Sequence, residues 1–311
     1  MTATAAALTS SEARVAKVRA VLGSPALALA LAALFWSGNF VAGRALRGAV
    51  DPVTLNFLRW LVALAIIAPF VWNSTLAAWP VLRREWRLIT ALGATGIAAF
   101  HILIYLALQS TTVASALLIL SLAPIATLLG SALLELRQPS RRQTGGALIS
   151  IAGAAVLITR GDFSSIFSQS FSTGDLWMLA AVAIWAAYSL ILRRRPADLS
   201  PSVALAASVA AALLMMLPLL LFTSVPFAGL GSAGVLLSIG YIALFASAIA
   251  FLLWSRGVSQ LGPGGQFVNL MPVFGAGLAF LLLGEAPTWV QAAGAALVLS
   301  GIAFVERRPG E

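Results

Sequence analysis

Ten apolar stretches of 16 to 25 residues, separated by short polar breaks, follow one another along this chain. They are Ala26 to Leu46, Pro52 to Trp72, Leu88 to Leu108, Val113 to Leu134, Thr144 to Thr159, Gly174 to Leu192, Pro201 to Phe222, Leu230 to Trp254, Gly264 to Leu283 and Pro287 to Val305. A hydrocarbon core about 30 Å thick takes roughly 20 apolar residues as a helix, whereas a membrane strand is about ten residues of alternating polarity. The pattern predicts an all-α polytopic membrane protein with ten transmembrane helices. Composition agrees, because with 60% hydrophobic and 9% charged residues a soluble domain could not keep its apolar side chains off its surface.

Charge sets the orientation. Residues 1–24 hold Glu12, Arg14, Lys17 and Arg19 without an apolar core of their own. They read as a cytoplasmic tail, and the first helix reads as an uncleaved insertion signal. With the amino terminus inside, cytoplasmic segments carry Arg83, Arg84, Arg87, Arg137, Arg141, Arg142, Arg193, Arg194, Arg195, Arg256, Arg307 and Arg308, against Arg44, Arg47 and Arg160 outside. This imbalance follows the positive-inside rule and predicts both termini cytoplasmic. The net charge of +9 is then topology and contact with anionic lipid, not nucleic-acid binding.

The chain also repeats itself. An offset of 149 residues aligns Trp36 with Trp185, Pro52 with Pro201 and Pro69 with Pro218; an offset of 148 aligns Pro124 with Pro272, Pro139 with Pro287, Gln143 with Gln291, Gly146 with Gly294 and Gly153 with Gly301. One register over nearly the whole length points to a tandem duplication. Each copy holds five spans, and an odd number turns the second copy upside down, giving two inverted-topology repeats suited to alternating access. The expected divisions are residues 25–160 for the first repeat, 161–173 for an exterior connector, 174–306 for the second repeat and 307–311 for a cytoplasmic tail.

Two five-helix halves, the first-helix stretch FWSGNFVAGR (Phe35 to Arg44), Leu122-Ala123-Pro124, Leu270-Met271-Pro272-Val273-Phe274, and Leu283-Gly284-Glu285 followed by Gly294 and Gly301 resemble the drug/metabolite transporter superfamily. More narrowly they resemble its EamA-type exporters, among them bacterial aromatic amino acid exporters. The resemblance covers Ala26 to Val305 and implies export of small metabolites from the cytoplasm. Glu135 departs from the pattern, lying two positions out of register with Glu285.

Polar groups inside apolar spans are the candidate site. Trp36 and Asn39 are three apart on one helical face, and their repeat mates are Trp185 and Tyr188. Asn39 reads either as an interhelical hydrogen bonder or as a ligand contact. Gly38 and Gly43 read as packing positions. Arg44 sits on the side that the charge rule disfavours; it is either an interfacial cation paired with Asp51 or an outer gate that grips a carboxylate. Arg59 divides in the same way, with Asn56 as a possible partner. His101 and Tyr105 share a face of the third helix, and Gln266 and Asn269 share one on the ninth, Asn269 standing before Pro272 as Ser121 stands before Pro124. Both could instead serve a carbonyl freed by proline. Gly146, Ser150, Gly153, Gly294 and Gly301 read as packing between the fifth and tenth helices.

Absences narrow the chemistry. No Cys and one His exclude a disulfide framework and a Cys/His metal site, and no Walker loop is present, so neither a metal nor ATP is expected as a cofactor. Asp51, Glu135, Asp175 and Glu285 all fall near span ends, so a buried carboxylate relay is missing and a facilitator or gradient-driven carrier is favoured. An intramembrane enzyme lacks its aspartate-rich or His-Glu-x-x-His motif. A lipid or lipid-linked sugar flippase keeps the fold and changes the substrate. An aromatic cavity with amide tips and an arginine suits a small zwitterion with an apolar or aromatic side chain, as an amino acid is.

Overall fold

The computed structural model describes residues 24–134, 139–159, 161–164, 172–223, 231–261, 265–283 and 288–306. Among these residues the chain is helical, with no strand. Helix α1 is Pro25–Ala45, α2 is Pro52–Ala77, α3 is Trp86–Ser110, α4 is Val113–Leu134 and α5 is Arg141–Thr159; α6 is Thr173–Leu192, α7 is Pro201–Leu220, α8 is Ala233–Leu261, α9 is Leu270–Leu283 and α10 is Trp289–Glu306. Seven of them, α1 to α4 and α6 to α8, are long and apolar enough to cross a bilayer by themselves, and Phe267–Leu278 and Trp289–Phe304 are shorter apolar helices. The molecule is therefore an integral, multi-pass membrane protein.

Local chemistry starts the helices where the sequence puts Asp or Ser before Pro. Asp51 accepts from the backbone N–H groups of Val53 and Thr54 ahead of α2, and Ser200 accepts from Val203 N–H ahead of α7. Pro52 and Pro201 follow as first helical residues, where the missing N–H costs nothing. Pro124 is the second residue of the helical segment Ala123–Leu134 within α4 and Pro272 the third residue of α9, both in a first turn. The chain turns at Ser121 and Leu122 and restarts at Ala123, and a 3₁₀ turn, Gly265–Asn269, precedes α9. These prolines begin helical segments instead of kinking continuous ones, so the ninth span is shorter as an α-helix than its apolar stretch.

Wide turns interrupt α3 at Gly93–Ala99 and α8 at Ile242–Ile249. They begin 149 residues apart, on the register of the sequence repeat. A π turn bonds i to i+5, so it carries one extra residue and leaves neighbouring carbonyls open to side chains; such turns recur at functional sites.

The most extensive helix pair is α5 with α10. Added Cβ atoms would stand 2.6 Å from Val298 N at Gly153, 2.6 Å from Leu157 N at Gly294 and 2.6 Å from Gly146 O at Gly301, so the two backbones touch. Small residues at a membrane helix crossing permit this approach. Elsewhere α1 packs on α8 and α9, α6 on α3 and α4, α2 on α7 and the wide turn of α8, and α7 on the wide turn of α3. The end of α1 meets the end of α3, where Arg44 donates to Leu108 O at 2.5 Å. The start of α6 meets the same end of α3, where the Thr111 hydroxyl donates to Asp175 at 2.5 Å. At the far end of α6, Arg84 reaches Asp198 at 3.5 Å.

Candidate functional site

Helix α2 leaves its Asp51 cap in a phase that turns Asn56, Arg59, Trp60 and Ala63 inward, and all four are fully buried. A guanidinium at 0% exposure in a membrane protein has to replace its water. Here the replacement comes from three other helices. Arg59 Nε donates to Ser247 Oγ at 2.7 Å, Nη1 to Tyr105 Oη at 2.7 Å and Asn39 Oδ1 at 3.2 Å, and Nη2 to Ala246 O at 3.3 Å. The Tyr105 hydroxyl in turn donates to Asn39 Oδ1 at 2.7 Å. The Trp60 and Tyr105 rings lie 5.3 and 5.8 Å from the guanidinium carbon. Every acceptor is neutral, and among the described residues no carboxylate pairs with Arg59; the ion pairs found there both involve Arg84.

The wide turn of α8 makes this node. Ser247 Oγ bonds back to Ile242 O at 2.8 Å, and the open Ala246 carbonyl accepts both Arg59 and Trp36 Nε1, the latter at 2.9 Å. The wide turn of α3 acts alike: Asn56 Nδ2 donates to Ile97 O at 3.0 Å, and His101 Nδ1 lies 3.3 Å from the same carbonyl.

Aromatic rings fill the space beside the node. Trp36 meets Trp185 edge-on at 5.4 Å, Phe251 at 5.2 Å and Trp254 at 5.1 Å. Trp185 meets Phe100 at 4.7 Å and Tyr188 at 5.3 Å, while His101 lies 5.7 Å from Trp60 and 5.6 Å from Phe251. A void of about 10 Å³ remains, lined by Trp36, Asn39, His101, Trp185, Val268 and Met271 among others. That is room for about one water, so this centre is shut.

The structure thus brings together Trp36, Asn39, Arg59, His101, Tyr105, Trp185 and Tyr188. It separates Arg44. Arg44 and Arg47 donate to Leu108 O and Gln109 O, carbonyls that the end of α3 leaves without helical partners. Asp51 is occupied as the α2 cap and is not the partner of Arg44, nor is Asn56 the partner of Arg59. Asn269 is fully buried with neither Nδ2 nor Oδ1 bonded, so it does not serve a proline-freed carbonyl. Ser121 does bond a carbonyl, Leu118 O at 2.5 Å. The side chain of Gln266 lies outside the described residues, as do Glu135 and Glu285. Gly38 and Gly43 pack as expected: an added Cβ would fall 2.0 Å from Tyr241 Oη at Gly38 and 2.8 Å from the Tyr105 ring at Gly43. Sequence reasoning missed Trp60, Ser247, Phe251 and Trp254, and it missed a larger opening. This is a cavity of about 350 Å³ at the far end of α6, lined by Ile97, Tyr188, Arg193, Arg195, Ser208 and Ser255 among others.

Comparison with known proteins gives one answer at three levels. The profile described as the EamA-like transporter family matches residues 23–159 and again 172–307. An uncharacterized transporter of Archaeoglobus fulgidus is 24% identical over 279 residues, 89% of this chain and 95% of its own. A probable terminal-alkyne amino-acid exporter of Streptantibioticus cattleyicolor is 26% identical over 293 residues, 90% and 93% of the two chains. One solved crystal structure matches with a TM-score of 0.69 at 25% identity, covering 92% of this chain and 99% of its own.

Proposed function

This chain belongs to the EamA-like transporter family, and from that premise we propose that it exports small metabolites, namely amino acids, aromatic and other apolar ones foremost, by alternating access. The observation that carries the reading is Arg59, a buried cation whose partners are all neutral. A substrate carboxylate matches a guanidinium with two parallel hydrogen bonds and supplies the missing negative charge. The rings of Trp36, Trp185 and Tyr188 offer an apolar side chain its contact area, and His101 and the unbonded Asn269 amide add polar groups close to the same wall. The transporter relatives, one of them a probable amino-acid exporter, support the same class.

The membrane arrangement belongs to this reading. All ten helices span the bilayer as two inverted five-helix repeats, residues 25–160 and 174–306. The pairing of α1 with α8 and of α6 with α3, and the meeting of the end of α1 with the start of α6 at one end of α3, support an antiparallel relation of the halves. The ends that hold Arg83, Arg84 and Arg193 to Arg195 face the cytoplasm of a bacterial inner membrane. The conformation is then open inward at the 350 Å³ cavity and sealed outward by the Arg59 node.

The test is uptake and efflux in proteoliposomes across labelled amino acids, nucleobases and lipids. Movement of aromatic and branched amino acids is expected. Movement of labelled lipid alone would assign the fold to lipid flipping and overturn the amino-acid reading.

A further inference from the structure

Helix α2 begins at Pro52, and at 1.5 Å per residue its rise to Trp72 is about 30 Å. That is the thickness of the hydrocarbon core, so Trp72 stands at the far interface and the chain beyond it runs at headgroup level. The polar run Asn73-Ser74-Thr75 follows at once. From there α2 connects to α3 through a short helix, Trp79–Arg84, with the backbone leaving helical geometry at Ala78 (φ −83°, ψ 2°) and at Glu85 (φ −97°, ψ 21°). Each bend is followed by a tryptophan. Trp72, Trp79 and Trp86 recur every seven residues, and all three are exposed, at 61%, 58% and 56%. Leu82 and Ile89 are the buried residues that seat this connection on the bundle, so its packing does not call for the three rings.

Among the rings stand three arginines. Arg84 is taken, by Glu85 at 3.0 Å and by Asp198 at 3.5 Å. Arg83 and Arg87 are exposed, and among the described residues no hydrogen bond or ion pair holds either; the Arg87 guanidinium carbon lies 5.5 Å from the Trp86 ring. The arginine cluster at the end of α6 differs. Arg193 donates to Ser131, Arg195 donates to Pro196 O and Leu199 O, and the segment 193–195 holds no tryptophan. Orientation in the membrane asks only for cations. It does not ask for two unpaired guanidiniums framed by exposed indoles. The repeat makes the same point, since at the offset of 149 the segment Trp79 to Arg87 is matched by Ala228 to Leu236, which has neither Trp nor Arg.

We propose that the α2–α3 connection is a binding site for an anionic phospholipid, whose headgroup phosphate is taken by Arg83 and Arg87 while Trp79 and Trp86 pack on its glycerol and upper acyl region. A guanidinium meets a phosphate with two parallel hydrogen bonds and is less strongly hydrated than an ammonium, which suits it to the interface. Indole rings gather at headgroup level because they join an apolar body to a single polar N–H. Juxtamembrane cations favour anionic over zwitterionic lipid, and here two of them act at one place. On the proposed orientation the lipid comes from the cytoplasmic leaflet. The site holds whatever metabolite the transporter carries.

The full-length protein in detergent is incubated with equal amounts of dioleoyl-phosphatidylglycerol and dioleoyl-phosphatidylcholine, and bound lipid is counted by native mass spectrometry. The unaltered chain is expected to retain phosphatidylglycerol several-fold over phosphatidylcholine, and the double variant Arg83→Gln, Arg87→Gln to lose most of that preference. The double variant Arg141→Gln, Arg142→Gln removes the same charge from the start of α5 and is expected to keep it. Arg87→Gln alone leaves Arg83 and Arg84 as an orientation signal and replaces the first variant if that inserts poorly; at least a twofold loss is expected. No preference in the unaltered chain, an undiminished preference without Arg83 and Arg87, an equal loss in the α5 variant, or displacement of the lipid by a tenfold excess of inorganic phosphate would overturn the proposal. The assay reads binding without transport, so its failure leaves the proposed function standing, and absence of amino-acid transport leaves this site standing.

Discussion

The two halves place Trp36 and Trp185 against each other, cap α2 and α7 alike, and interrupt α3 and α8 with wide turns on one register. They differ in what stands on the inward face of the helix after the first turn. In α2 it is Arg59, wired to Asn39, Tyr105 and the α8 turn; in α7 it is Ser208, whose buried hydroxyl has no hydrogen-bond partner. A duplicated scaffold keeps packing residues in both copies, because both copies must pack. Chemistry needs only one copy of a charge, and a second buried guanidinium would add about 2.5 to 3.5 kcal/mol of burial cost on insertion scales. The asymmetry in polar content is thus where function separates from fold.

The sharpest way to break the comparison is to remove the charge that distinguishes the halves. Arg59→Gln is expected to lower amino-acid efflux at least tenfold in proteoliposomes, and Arg59→Lys to recover little of it, since an ammonium cannot copy a planar fork with four bonds. Normal transport by Arg59→Gln would reduce the node to packing. Next in size is the part common to both halves. Gly153→Leu forces α5 off α10, and the detergent-solubilised protein is expected to lose its cooperative thermal transition or to fail in membrane insertion. Trp36→Ala should lower the efflux of large apolar amino acids several-fold more than that of alanine, because it removes ring area beside the node while Arg59 remains; equal losses for both substrates would place Trp36 in the packing shared by the halves. Smallest are the caps. Asp51→Ala and Ser200→Ala should each cost about 0.5–2 kcal/mol of stability, read from denaturation midpoints, with similar values on the two sides. A much larger loss at Asp51 would tie that cap to the node eight residues on.

Much of this was legible in the letters. Span length and composition mark each helix, and the prolines and glycines that recur at 148 or 149 mark the repeat, because those residues are recognisable wherever they fall. Trp36, Asn39, Arg59, His101, Tyr105, Trp185 and Tyr188 were found because each is costly or bulky in an apolar run. The partners were harder. Ala246 contributes its carbonyl, and a carbonyl has no letter. The wide turns that open Ala246 and Ile97 to side chains need one extra residue per turn and no special composition, so nothing in Gly93–Ala99 or Ile242–Ile249 announces them. Arg44 stands out in the sequence as an exception to the expected charge rule, but the group that holds it is the end of α3, a place fixed only by tertiary packing.

The neutral surroundings of Arg59 have an electrical consequence. If the node carries a full positive charge when empty, a bound zwitterion leaves the sum unchanged, whereas a simple carboxylate brings it to zero. Each elementary charge carried through the whole membrane field is worth about 2.3 kcal/mol per 100 mV. To the extent that Arg59 shifts through that field as the protein changes conformation, voltage acts on the empty form and on the form loaded with an amino acid alike, and spares the form loaded with a carboxylate that lacks an amino group. On the proposed function, the buried arginine that would take a substrate by its acid end would thereby let the membrane potential discriminate by the other end.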